Sequence, residues 1–219
     1  MKLDDALSHA TAVAHLVLQG SRALSRKTLN TAPLMATLSI SAAAKSRDAA
    51  AFDTKIKEIL IFGSVARGEA NPNDIDMMIF DRGFYSNIIG FEPGEAKDDD
   101  LDEEVTVTPG KRPRSSWGAI VRGNLSGLLS DWFRCSAEQC AFAQAIPIDA
   151  QILPISIILE PQKRREVGAK HFDPRFFENA FSVILRFDEV EGKFVPTTLA
   201  ELVEKHARPT PADLVDARY

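Results

Sequence analysis

A chain of 219 residues, 45% hydrophobic and 26% charged, is long enough to close one sizeable core and too apolar to stay disordered throughout. Its 26 Lys and Arg against 31 Asp and Glu leave a net charge of -5, the wrong sign for a protein that lives on phosphate backbones, so a polynucleotide partner is disfavoured. The two cysteines, Cys135 and Cys140, stand five positions apart in a segment that reads as helix, which turns them to different faces and favours neither a disulfide nor a zinc site.

Taken in chain order, Asp4 and Asp5 stand where a secretory signal carries basic residues, and the apolar run at 12–18 is too short to span a bilayer. The expectation is a cytoplasmic protein with no membrane segment. Leu7, Ala10, Val13, Ala14, Val17 and Leu24 recur at three- and four-residue steps, the period of an amphipathic helix over 4–24. A second Ala-rich helix is predicted over 33–52, opened by Pro33. Both belong to a helical N-terminal extension, residues 1–52, which either covers one face of the sheet or serves as an arm for a second copy or a partner protein.

The main domain is expected over 53–206. Ile59, Leu60, Ile61 and Phe62 form a continuous apolar run ended by Gly63, the pattern of a central strand buried on both faces. Ala70 to Asn73 is a turn cluster, and residues 75–80 form a second buried strand that starts on an acid. Between 84 and 110 the pattern loosens, with six acids within seven positions at 98–104, a solvated charge run followed by Lys111, Arg112 and Arg114. A core helix runs from Ser115 through Trp117, Ile120, Leu125, Leu128, Leu129 and Phe133. Residues 146–159 read as a third strand with a single acid, Asp149, followed by a basic loop at 161–165 that includes Lys163, Arg164 and Arg165. A helix starts at Asp173 and Pro174, a hairpin pairs 183–187 with 193–196 around Glu191 and Gly192, and a last helix spans 198–206 before a tail at 207–219. His171 and His206 are expected at the surface or at helix ends.

The chemistry concentrates between the first two strands, in GSVARGEANPNDID from Gly63 to Asp76. Asp74 and Asp76 lie two apart at a strand start, so both carboxylates project to one face, where they repel unless a cation sits between them. Oxygen-only ligands suit magnesium or manganese. Gly63 lets the backbone approach a phosphate, to which the Ser64 hydroxyl and amide can donate. Arg67 has two open roles, a phosphate contact or an ion pair with an acidic neighbour. Asp149, an isolated acid in an apolar strand, is the expected third carboxylate.

These residues resemble the signature of the DNA polymerase β-like nucleotidyltransferases: Phe62-Gly63-Ser64, Ala66-Arg67-Gly68, Asp74-Ile75-Asp76 and a later strand Asp, here Asp149. The Ala-Arg-Gly element is most similar to the minimal nucleotidyltransferase branch. The resemblance implies an α+β nucleotidyltransferase fold, a small mixed sheet flanked by helices, here with extra N-terminal helices. In the shortest members the third acid follows the pair much sooner, which makes about 84–110 an insertion and Glu104, before the run at 105–107, the competing third carboxylate. The resemblance also implies two magnesium ions held by Asp74, Asp76 and Asp149, and a nucleoside triphosphate, ATP as the expected donor, held at Gly63, Ser64 and Arg67. The implied reaction transfers a nucleoside monophosphate to a hydroxyl of a small molecule or protein. The alternative is an antitoxin-like or nucleotide-sensing interaction protein with little or no turnover.

Overall fold

The structure is a computed structural model that describes residues 1–28, 55–83, 85–86 and 125–207. The predicted helix at 33–52, the acidic run with Glu104, the basic residues at 111–114, the start of the helix from Ser115, and the tail from 208 lie outside the described residues.

Among the described residues, five strands form one mixed sheet in the order β3-β2-β1-β4-β5. They are β1 (Glu58–Phe62), β2 (Ile75–Asp81), β3 (Ile148–Pro154), β4 (Ile184–Asp188) and β5 (Lys193–Thr197). β1 runs antiparallel to both β2 and β4, β4 antiparallel to β5, and β2 parallel to β3. β1 is buried at all five positions, as an apolar run with helices on both of its faces requires.

Alternation along the strands splits the interior into two cores. Ile59, Ile61, Ile75, Met77, Ile79, Ile148, Ala150 and Ile152 face α1 (Leu3–Thr28), which contributes Ala6, Ala10, Val13, Ala14 and Val17, all fully buried. The first helix therefore covers one face of the sheet, and its small alanines let it lie close to the strands. Leu60, Phe62, Met78, Phe80 and Leu153 face the opposite core. That side is closed by α4 (Ser156–Leu159), α5 (Pro161–His171), α6 (Phe176–Ala180) and α7 (Leu199–Ala207). Between β1 and β2 stands the short helix α2 (Gly63–Ala66). Before β3 come a π-helical turn at Leu128–Trp132 and α3 (Ala137–Gln144), whose N-cap Ser136 forms a reciprocal capping box with Gln139.

Four local expectations are corrected. β3 ends at Pro154 rather than running to 159: the Ile155 amide still bonds the Asp81 carbonyl, but Ile157 and Ile158 belong to α4 and are fully buried against the second core. A short apolar run has no periodicity that separates a buried helix from a strand. The basic segment at 161–165 is the first turn and a half of α5, opened by Pro161, and not a loop. The helix expected at Asp173 starts at Phe176, with Asp173 accepting from the Arg175 amide in the turn before it. Cys135 precedes the N-cap of α3 and only Cys140 is helical; the Cys140 Sγ lies 4.0 Å from the Cys135 carbonyl oxygen, and both are free thiols.

Candidate metal centre

β2 and β3 are parallel and in a register that sets Asp76 directly beside Asp149, while Phe62, the last residue of β1, pairs with Asp76 from the other side. Asp74 sits in the bend just before β2. Each of Asp74, Asp76 and Asp149 offers a carboxylate oxygen, and the three oxygens lie within 4.8 Å of one another. All three residues are half-buried. The expected carboxylates thus converge from two neighbouring strands, and such a group of oxygens could hold a hard divalent cation.

The electrostatics of the cluster are unfavourable without one. Asp76 is pushed up to about 6, first by burial, then by the charges of Asp74 and Asp149, with Arg67 opposing them. Gly63 has φ +68, and a Cβ at that position would overlap the Asp76 Oδ2. Its absence of a side chain is therefore what lets the Asp76 carboxylate lie against the turn into α2. The next residue, Ser64, has its hydroxyl oxygen buried with no hydrogen-bond partner. A buried hydroxyl left without a partner costs free energy unless something supplies one.

Arg67 is the residue that ends α2, not one of its helical residues, and its guanidinium meets Glu69 through two hydrogen bonds of 2.7 and 3.0 Å at the surface. Exposed pairs of this kind contribute little, so the guanidinium exchanges partners at small cost. The loop from α2 to β2 is tied to the first helix: the Leu3 amide bonds the Ala70 carbonyl at 3.2 Å, and the Met1 amino group bonds the Pro72 carbonyl at 3.2 Å. Glu104 lies outside the described residues.

Two features lie near the carboxylates that the sequence did not mark as belonging to a site: Gln151, and an aromatic row that includes Phe176, expected with Phe177, Ala180 and Phe181 only as the apolar face of a helix. Gln151 follows Asp149 by two along β3, so it shares its face, and its buried Oε1 has no hydrogen-bond partner. The alternation that flagged Asp149 as an odd acid flags Gln151 equally. The second is an aromatic row beyond Phe62, whose ring meets Phe176 edge-on at 5.8 Å, while Phe176 stacks on Phe172 at 4.2 Å. Among the described residues no helix is long and apolar enough to cross a membrane. No family model, no curated protein and no solved structure matches the chain.

Proposed function

We propose that this protein is a magnesium-dependent nucleotidyltransferase of the DNA polymerase β-like kind, transferring a nucleoside monophosphate, AMP from ATP in the simplest case, to a hydroxyl of a small molecule or a protein. The observation that carries the reading is the convergence of three carboxylate oxygens within 4.8 Å of one another beside a positive-φ glycine and a buried, partnerless serine hydroxyl. The mixed sheet flanked by helices is compatible with it.

Asp74, Asp76 and Asp149 would hold the magnesium. When bound, magnesium supplies positive charge to the triphosphate and to the departing pyrophosphate. The remaining work falls to the chain. Ser64 donates its hydroxyl proton to a phosphate oxygen, satisfying the oxygen left orphaned in the fold. Gly63 keeps the phosphate and the Asp76 carboxylate in the same small space. The acceptor approaches over β3, which carries Asp149 and borders the sheet among the described residues. Its hydroxyl oxygen forms a bond to the α-phosphorus, the bond from that phosphorus to the β-phosphate bridging oxygen breaks, pyrophosphate leaves, and the hydroxyl proton passes to Asp149 or to solvent.

The test is transfer of label from α-labelled ATP, with pyrophosphate release measured in parallel, using the full chain with magnesium and a panel of hydroxyl acceptors that includes co-purifying proteins. Asp74→Ala and Asp76→Ala are expected to abolish both signals. Equal rates in wild type and variants would overturn the proposal. Nucleotide binding without pyrophosphate release would favour a sensor.

A further inference from the structure

Asp76 and Phe62 are cross-strand partners and project to the same face of the sheet, since Phe62 and Met78, two residues beyond Asp76, both line the core on that side. A line drawn across this end of the sheet passes from Asp149 to Asp76 to Phe62. It continues off the sheet into α6 and the residue that ends α5. Phe62 meets the Phe176 ring edge-on, with centroids 5.8 Å apart and planes at 85°, and Phe176 stacks on Phe172 at 4.2 Å with planes 9° apart. The row is acidic at one end and aromatic at the other, and the Gly63-Ser64 turn follows directly on Phe62.

The aromatic residues in and around α6 fall into two classes. Phe177 and Phe181 are buried in the second core, whereas Phe172 and Phe176 pack against its margin and are only half-buried. Both rings pack against that core and meet Phe177, yet each keeps part of its surface in water, stacked on the other and adjoining, through Phe62, a carboxylate cluster that could hold a metal. A nucleotide has a matching division, a charged polyphosphate at one end and a flat π-face at the other.

We propose that Phe172 and Phe176 form the platform on which the base of a bound nucleoside triphosphate stacks, with its phosphates at Gly63 and Ser64. This rests on the nucleotide-site reading above and adds the base subsite to it. Stacking is tolerant of base identity because every base has a π-face, so the platform makes the presence of a base matter more than which base it is.

The experiment is calorimetric titration of the full chain, in magnesium buffer, with ATP and separately with inorganic tripolyphosphate. The proteins are wild type, Phe176→Leu, Phe172→Leu and Phe176→Tyr, each first checked for an unchanged unfolding midpoint. Leucine keeps most of the apolar contact and removes the ring; tyrosine keeps the ring. Wild type is expected to bind ATP more tightly than tripolyphosphate. Both leucine variants should weaken ATP binding by roughly 5- to 100-fold, the range for loss of one base stack, and leave tripolyphosphate binding unchanged, with Phe176→Tyr close to wild type. ATP affinity unaltered in the leucine variants, with tripolyphosphate still bound, would overturn the platform and leave the phosphate site standing. An equal loss for both ligands would make the two rings part of the framework of the phosphate site and overturn the platform. Failure of wild type to bind either ligand would overturn the nucleotide-site reading and the platform with it.

Discussion

The two ends of the central strands treat acidic side chains in opposite ways. At the start of β1, Glu58 has a side chain only 2% exposed, accepts a hydrogen bond from the Lys205 ammonium and lies 2.9 Å from the His206 Nε2, both on α7. Beside it, at the end of β2, the fully buried Asp81 accepts from the Gly83, Tyr85 and Ser86 amides and from the Ser86 hydroxyl. Burial still holds the Asp81 carboxyl above its usual range, with those hydrogen bonds pulling the other way. At the opposite end, Asp74, Asp76 and Asp149 face one another, and the one opposing charge on Asp76 that matters is Arg67. Glu58 and Asp81 are matched by donors, whereas burial and the charges of Asp74 and Asp149 hold the Asp76 carboxyl above its usual range.

The matched end is the one whose disruption should unfold the protein. Replacing both Lys205 with Met and His206 with Leu strands Glu58 in the interior, and breaking a buried pair in this way costs roughly 3–5 kcal/mol. Denaturant unfolding should show that loss, while any midpoint shift produced by adding magnesium stays as in wild type. Glu58→Gln should cost less, because Lys205 is half-exposed and can turn to water. If the double variant also lost its response to magnesium, the two ends would not be independent.

Gly63→Ala tests the carboxylate cluster through the backbone. The new Cβ must occupy space held by the Asp76 carboxylate, and alanine disfavours φ +68. The expected cost is about 1–3 kcal/mol, together with loss of any magnesium-induced midpoint shift. A variant that unfolds earlier but keeps that shift would show that Asp76 does not need its place against the turn.

Asp76→Asn should move stability in the other direction. The folded carboxyl, at about 6, lies above its usual 3.8, so between these values the native state holds a proton that the unfolded state has released. Stability therefore falls as pH rises through this window and stays lower above it. Removing the charge should stabilise the magnesium-free protein above pH 6 by on the order of 1 kcal/mol, discounted for the partial exposure of the site, and should change nothing near pH 3. The same variant should no longer respond to magnesium, and in wild type that response should fade below pH 6 as Asp76 takes up its proton. A destabilised Asp76→Asn at pH 8 would mean the acids are matched there too.

These contrasts also mark what could be read from the chain before folding. β1 and β2 were legible because apolar runs are punctuated by Gly63 and by the turn cluster before Asp74, and the hairpin because Glu191 and Gly192 separate two short strands. The helix covering the first core was legible from its three- and four-residue spacing. The end of β3 was not, because Ile155, Ile157 and Ile158 suit a buried helix as well as a strand, and the start of α5 was hidden by the charges around its Pro161 signal. The pairing of Glu58 with Lys205 and His206 joins positions at opposite ends of the domain, which only the tertiary fold brings together. The site shows the same division: Asp74 and Asp76 announce themselves by spacing, but the meeting of Asp76 with Asp149 depends on strand register, and the row through Phe62 to Phe172 depends on where α6 docks.

Ser64→Ala gives the smallest stability effect and the finest test of the contrast. At the matched end every deletion removes a hydrogen bond made in the fold. At Ser64 the buried Oγ makes none, so truncating it removes an unsatisfied polar atom and sacrifices no contact of the folded chain. The unfolding free energy of the ligand-free protein should change by less than about 0.5 kcal/mol, of either sign. Binding should respond instead: if the hydroxyl finds its partner in a phosphate oxygen, its loss should weaken ATP and tripolyphosphate alike by about tenfold, the size of one hydrogen bond to a charged group. Loss of more than about 1 kcal/mol without ligand would assign Ser64 to the framework, on the same footing as Glu58 and Asp81. Unchanged affinity for both ligands would place the phosphates elsewhere along the α2 turn.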